Sequence, residues 1–292
     1  MSKVTKGVIL AAGLGTRMLP ATKSVPKELV PIVDKPALQY IVEELAASGI
    51  KDIMIILSRG KTLIEDHFDR SPELEERLIA GGEKKKALLE EVYKIDKLAN
   101  IVYARQKTML GTGDALMAAR EFTGNDPFVV CYGDDVIMND EYPVTKQLVD
   151  AYNEFEKGVA GMQEVSPEMI SSYSSMKVDN IRNNIYHLTD MIEKPKKGEE
   201  FSLYSILGRM VLPAKIYDIL ESTKMNNGEI YLTDAMKTLS NTDGMIGVDF
   251  VGKRYDMGNK LGVMEAQVET ALKHPVIGEA FKAYLKEFVK TL

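Results

Sequence analysis

The chain has 292 residues and is 45% hydrophobic, enough for a sizeable core in one large α/β unit or two modest ones. Its formal net charge of −6 argues against a general nucleic-acid binder and against a protein held on anionic membranes. One cysteine, Cys131, excludes an intrachain disulfide and a multi-cysteine metal site, and His67, His187 and His274 are too far apart in sequence for metal-ligand spacing.

"KGVILAA" (6–12) is a short continuous apolar run, suited to a strand buried on both faces. The apolar stretch in the opening "MSKVTKGVILAAG" is too short for a signal peptide, and no window approaches a membrane span, so a cytoplasmic protein is expected. Next comes "GLGTRMLPATKSVPKE" (13–28), a glycine turn followed by Arg17, Lys23 and Lys27 with Pro20 and Pro26 among them. Residues 1–60 carry eight Lys/Arg against five Asp/Glu, a local cationic excess in an acidic chain. Such an excess points to a small anionic substrate, although a solvated surface accounts for the charge count equally well.

In "PALQYIVEELAASG" (36–49), Leu38, Ile41, Val42 and Leu45 recur at helical spacing between Pro36 and Gly49. "KDIMIILS" (51–58) reads as a strand. "NIVYARQ" (100–106), the helical "DALMAAREF" (114–122) and "PFVVCYG" (127–133) repeat the alternation. Cys131 falls inside that last run and reads as a packing residue. Strand, helix, strand at this rhythm predicts a parallel sheet with right-handed crossovers and a ligand at the carboxyl ends of its strands, where "GLGTR" and "GDD" both fall. Beyond residue 160, "MKVDNIRNNIYHLTDMIEKP" (176–195) predicts an antiparallel pair turned at Asn183-Asn184. "LYSILGRMVLP" (203–213) predicts a strand, "AKIYDILEST" a helix, and "MIGVDFVGKRYDMG" (245–258) a strand ending on an acid and a glycine. The tail reads as two helices broken at Pro275. With no repeat, low-complexity segment or linker, one unit is expected. It comprises a nucleotide-binding half to about residue 160, a β-rich half over 161–258 and C-terminal helices over 259–292.

Three mechanisms can use the glycine turn. A dinucleotide fingerprint needs a third glycine where Met18 stands, and a P-loop needs Lys and Ser/Thr directly after its last glycine. In the third, the backbone N–H groups of Gly13 to Thr16 face a triphosphate, Arg17 and Lys27 neutralise it, and Pro20 and Pro26 hold the intervening arm extended. A plain surface loop remains open for a glycine turn taken alone.

"AAGLGTRMLPATKSVPKELVPIVDKPALQY" resembles the bacterial UTP–glucose-1-phosphate uridylyltransferases, and more distantly the sugar-phosphate nucleotidyltransferases as a class. "RQKTMLGTGDAL", "PFVVCYGDD", "MIEKP", "LGRMVLP", "EIYLTDAM" and "GKRYDMG" extend the resemblance along the chain. It implies a Rossmann-like mixed, mainly parallel α/β sheet flanked by helices. The implied reaction turns UTP and glucose 1-phosphate into UDP-glucose and pyrophosphate, with no nucleic acid or membrane as partner and a homodimer or homotetramer as the assembly. By the same resemblance, Ala11, Ala12, Gly13, Leu14, Gly15 and Thr16 form the nucleotide turn, and Gln106 and Gly111 read the uracil edge. Arg17 and Lys27 are phosphate clamps and Lys194 binds the sugar phosphate. Ser174, Glu193 and Gly208 contact the sugar, and Asp134 and Asp256 hold Mg²⁺, with Asp135 supporting the loop.

The sequence departs from the family pattern mainly on the sugar side. Asp114 replaces the histidine of the usual G-L-G-H-A-V, Ser174 replaces a glycine, Phe201-Ser202-Leu203-Tyr204 replaces S-N-L-A, and Met257 replaces a cysteine. A nucleotidyltransferase using thymidine triphosphate or another sugar phosphate, and a silent UDP-sugar-binding relative, are the alternatives. Arg17, Lys27, Asp134, Lys194 and Asp256 are all present, which a silent relative would not be expected to retain.

Overall fold

The computed structural model describes residues 4–292, so the first three residues of the opening stretch weighed as a signal peptide lie outside the described residues. Its strands in chain order are β1 (Lys6–Ala11), β2 (Pro31–Ile32), β3 (Lys35–Pro36), β4 (Asp52–Leu57), β5 (Asn100–Arg105), β6 (Phe128–Tyr132) and β7 (Asp135–Met138). They continue with β8 (Gly158–Glu164), β9 (Ser174–Arg182), β10 (Ile185–Glu193), β11 (Tyr204–Leu212), β12 (Met245–Asp249) and β13 (Lys253–Asp256). Nine of these form one sheet in the order β5-β4-β1-β6-β11-β8-β12-β10-β9, while β7 pairs with β13 and β2 with β3.

The block β5, β4, β1, β6 is parallel throughout. β11 enters between β6 and β8 and runs antiparallel to both. β12 is parallel to β8, and β10 and β9 complete the sheet as an antiparallel hairpin. The sheet is therefore mixed, and mainly parallel in that all of its nine strands except β10 and β11 run the same way. Alternate residues of a strand face opposite sides, and here each side is buried. Ile9, Ile55 and Val129 pack with Leu38, Ile41 and Leu45 of the helix Ala37–Ala47. Val8, Ile56 and Val130 pack with Leu220 and Met236 of the helices Ile216–Ser222 and Leu232–Asp243. Each such aliphatic side chain is worth about 1.5–3 kcal/mol on burial.

The hairpin turns at Asn183, whose φ of 44° is the left-handed geometry asparagine tolerates. Cys131 is fully buried, and burial raises its thiol to about 12, consistent with a packing role.

Three expectations are corrected. Residues 16–29 are not extended: they coil into 3₁₀ turns at Thr16–Met18, Ala21–Lys23 and Lys27–Leu29, closed by bonds such as Met18 N–H to the Gly15 carbonyl (2.9 Å). The prolines limit φ, but a 3₁₀ turn accepts that φ as readily as an extended chain does. The helix expected over 114–122 is split into Thr112–Met117 and Arg120–Thr123, because Ala118 and Ala119 donate to carbonyls three residues back and tighten the chain. The strand expected over 245–258 is two, β12 and β13, in different sheets. Gln147 captures both backbone groups of Val251, donating to its carbonyl (2.8 Å) and accepting from its N–H (3.0 Å), which takes the chain off the ladder.

Candidate active site

β1 ends at Ala11 and releases the glycine turn. Gly15 has a φ of 66°, left-handed backbone that glycine adopts at little cost, and Thr22 Oγ1 donates to its carbonyl (2.8 Å). Lys27 lies across the turn: a Cβ on Gly13 would come 3.3 Å from Lys27 Nζ. The neck of this loop is fastened by buried Lys61, whose Nζ donates to the Ala11 carbonyl (2.6 Å) and to both Glu28 carboxylate oxygens (2.8 Å each). Burial dominates their titration, raising the Glu28 pKa and lowering that of Lys61 against their mutual attraction.

The loop opens on two adjoining cavities. One of about 470 Å³ is lined by Ala12, Gly13, Leu14, Gln106 and Gly111, among others. The other, about 650 Å³, takes in Arg17, Ser174, Glu193, Lys194 and Asp256. Lys27, Thr112, Tyr132 and Asp134 line both. In the smaller one, Gln106 Nε2 donates to the Gly111 carbonyl (3.0 Å) and to Asp114 Oδ2 (2.7 Å). Gly111 has a φ of 98°, and a Cβ there would come 2.7 Å from the Ile230 carbonyl, so no larger residue fits.

At the junction, Lys27 Nζ donates to Asp134 Oδ2 in a short ion pair. Burial alone would lower the lysine's pKa, but Asp134 and Glu28 outweigh it and hold the ammonium above its ordinary value. Asp256 accepts from the Tyr173 hydroxyl at Oδ2 (2.9 Å) and from the Gly258 N–H at Oδ1 (2.8 Å), with Arg17 at 3.7 Å and Arg254 at 4.0 Å. Burial would raise its pKa, yet Arg254, Tyr173 and Arg17 together hold it below the usual carboxylate range. Gly258 leaves open the space between the two acids. A Cβ there would sit 2.8 Å from Asp134 Oδ2, 2.9 Å from Asp256 Oδ1 and 2.5 Å from an Arg17 guanidinium nitrogen. Two carboxylate oxygens and a guanidinium nitrogen thus converge beside Gly258, too close for any side chain at that position. Among the described residues no group of three or more His, Cys, Asp or Glu is assembled as a metal cluster.

On the far side, Glu193 Oε2 accepts from Thr233 Oγ1 (2.7 Å), and burial raises its pKa against that bond and against Lys194. Lys194 has a φ of 47°, strained for a residue with a side chain, and is held there by its N–H on the Tyr173 carbonyl (2.8 Å). Ser174 Oγ accepts from the Ile206 N–H (3.1 Å), so its hydroxyl is turned into the sheet.

Four residues expected at the site line neither cavity. Ala11 is buried in β1, and Gly15 and Thr16 form the entry to the first 3₁₀ turn. Gly208, with a φ of 67°, sits behind Asp135: a Cβ there would come 2.5 Å from the Asp135 carboxylate. Asp135 itself pairs with Arg254, whose Nε donates at 2.7 Å, and burial against that pairing raises its pKa to about 6. Sequence reasoning passed over Arg254, Tyr173, Thr233, Thr112 and Tyr132, all of which line the larger cavity. Arg254 was findable, since it stands two residues before Asp256 on one strand and so faces the same way.

Residues 6–272 match the profile of the Nucleotidyl transferase family. The UTP--glucose-1-phosphate uridylyltransferase YngB of Bacillus subtilis (strain 168) is 45% identical over 289 residues, 99% of this chain and 96% of the relative. The chain belongs to the bacterial UTP–glucose-1-phosphate uridylyltransferase family. A uridylyltransferase of Staphylococcus epidermidis is 44% identical over 288 residues, 98% of this chain and 99% of the relative. Among solved structures, UTP-bound UGPase from Acinetobacter baumannii aligns with a TM-score of 0.89 at 35% identity, over 97% of this chain and 99% of that one. A UDP-glucose pyrophosphorylase complexed with UDP-glucose aligns with a TM-score of 0.85 at 35% identity, over 93% and 100%. The mixed sheet flanked by helices is thus the uridylyltransferase fold, as the sequence motifs implied.

Proposed function

We propose that this uridylyltransferase-family chain converts UTP and glucose 1-phosphate into UDP-glucose and pyrophosphate. The observation that carries the reading is the meeting of two cavities at Lys27 and Asp134, one with Gln106 and the glycine turn, the other with Glu193 and Lys194. A phosphate oxygen of the sugar attacks the α-phosphorus in line. The bond to the bridging oxygen breaks, and pyrophosphate leaves with its electron pair. Such transfer calls for alignment and charge neutralisation rather than a covalent intermediate.

Ala12, Gly13 and Leu14 receive the triphosphate, Gly15 and Thr16 shape the return of that turn, and Gln106 with Gly111 receives the uracil. Arg17 and Lys27 hold the β- and γ-phosphates and the charge that develops during transfer, for which Lys27 exchanges Asp134 for a phosphate oxygen. Lys194 binds the sugar phosphate, and Glu193 accepts hydrogen bonds from sugar hydroxyls. Ser174 and Gly208 shape the backbone around the sugar. Asp134 and Asp256 hold Mg²⁺ in this reading, supported by Asp134 Oδ2 and Asp256 Oδ1 lying 2.8 and 2.9 Å from one point beside Gly258. Mg²⁺ prefers one or two carboxylates with phosphate oxygens and water. When bound, the ion supplies charge neutralisation at the phosphate oxygens.

A homodimer or homotetramer in the cytoplasm completes the proposal, with the chain built as one unit. Exposed Tyr284, Phe288 and Val289 on the helix Gly278–Val289 support a C-terminal interface, and light scattering tests it. No helix among the described residues is long and apolar enough to cross a membrane. The reaction is tested by pyrophosphate release over a panel of nucleoside triphosphates and sugar 1-phosphates. UTP with glucose 1-phosphate is expected to be the best pair, and a different best pair, or no release with any, overturns the reading.

A further inference from the structure

Gln106 follows β5 directly, with its backbone N–H on the Leu57 carbonyl (2.9 Å), and is buried. Its side-chain amide has two N–H donors and one carbonyl acceptor. Both donors are taken, one by the Gly111 carbonyl at 3.0 Å and one by Asp114 Oδ2 at 2.7 Å. Turning the amide over would set its oxygen against two other acceptors with no proton between them, so these partners decide its orientation. With Nε2 occupied, Oε1 is the amide atom left for a ligand in the cavity that Gln106 and Gly111 line. Asp114 does not line that cavity. It lies behind, in the first turn of the helix Thr112–Met117, where the helix N-terminus favours a carboxylate.

We infer that Asp114 is a positioning residue that sets base selectivity by locking Gln106 as an acceptor. An acceptor at this point suits the N3–H that uracil and thymine present. Cytosine presents a bare N3 there, so the complex would hold two facing acceptors and no bond. The usual motif of the family has histidine at this place, so the lock is read from this chain's own contacts. The inference rests on the assignment of the smaller cavity to the base, and it selects N3–H bases as a class rather than UTP over thymidine triphosphate.

Equilibrium binding of UTP and CTP, measured by calorimetry on the whole chain, tests it. The wild-type protein is expected to bind UTP more tightly. Asp114→Ala is expected to lose roughly tenfold of that preference, since one of the two bonds resisting amide rotation is gone. Asp114→Asn, whose side-chain oxygen accepts the same N–H, is expected to keep the preference within about threefold. Asp114→Leu, close to aspartate in volume, carries the alanine expectation should that variant not fold. Equal affinity of the wild-type protein for the two nucleotides, an unchanged preference in the folded alanine or leucine variant, or a loss in Asp114→Asn as large as in those variants overturns the inference. Selective UTP binding without pyrophosphate release would instead remove the proposed reaction and leave the lock standing.

Discussion

Gly258→Ala isolates the space between the two acids. Gly258 lies outside the left-handed region, so alanine adopts its backbone without strain and the added methyl is the whole perturbation. That methyl would meet Arg17, Asp134 Oδ2 and Asp256 Oδ1, all within 2.9 Å. The Arg17 side chain is 60% exposed and swings clear. The acids do not: Asp256 is tied to Tyr173 and Gly258 N–H, and Asp134 Oδ2 accepts from Lys27 Nζ. Overfilling a packed site costs about 1–3 kcal/mol. At tenfold per about 1.4 kcal/mol, that predicts kcat/KM lower by roughly 5- to 150-fold if the cost falls on the reacting complex. Folding bears part of the same cost, since the clash exists in the free protein, and restricting the unfolded chain returns about 0.4–1 kcal/mol of it. The assay is continuous pyrophosphate release at several Mg²⁺ concentrations, with thermal melting alongside. A lower kcat/KM, a higher Mg²⁺ requirement and a melting temperature within a few degrees of wild type are expected. Wild-type kcat/KM with an unchanged Mg²⁺ dependence would refute the claim that Asp134 and Asp256 share a cation in this space.

Removing divalent cations with EDTA should abolish turnover, and Asp134→Asn should cost about 100-fold or more in kcat; full activity in excess chelator would dismiss the metal. The two lysines should separate kinetically. Lys194→Ala is expected to raise the KM for glucose 1-phosphate more than that for UTP, and Lys27→Ala to act mainly on kcat, so matching profiles would end the division of roles. Arg254→Met strands the buried Asp135 carboxylate and should destabilise the fold by about 3–5 kcal/mol. Asp135→Asn on top should recover part of that in thermal melts, and additive losses would show that the pair is not coupled.

The central strands were legible because β1, β4 and β6 are buried on both faces and must be continuously apolar. The helix Ala37–Ala47 was legible because Leu38, Ile41, Val42 and Leu45 keep a helical period, while its buried Gln39 and Glu44 gave no such signal. The site was legible where chemistry is unusual, as with cations after a glycine turn or acids beside glycines. Lys61 shows what was not legible. It follows Gly60 like any surface lysine, and its partners lie 33 and 50 residues away at Glu28 and Ala11. Gly258 likewise reads as a turn glycine, and only the fold brings Asp134 to its side. The cationic arm was misread because a proline's fixed φ serves both coiled and extended chain, and the choice is made by hydrogen bonds further along.

The insertion of β11 has a consequence for synthesis. A nascent chain presents β6 and β8 long before residues 204–212, the strand that joins them, leave the ribosome. Until then each has an open edge, and an unpaired edge is a template for pairing with another chain. β12, the other neighbour of β8, emerges later still. The half that carries the glycine turn therefore cannot complete its sheet until residues 204–212 have emerged. A chain cut after β10 would lack both β11 and β12, leave β6, β8 and β10 with open edges permanently, and should collect in aggregates rather than survive as a soluble nucleotide-binding fragment.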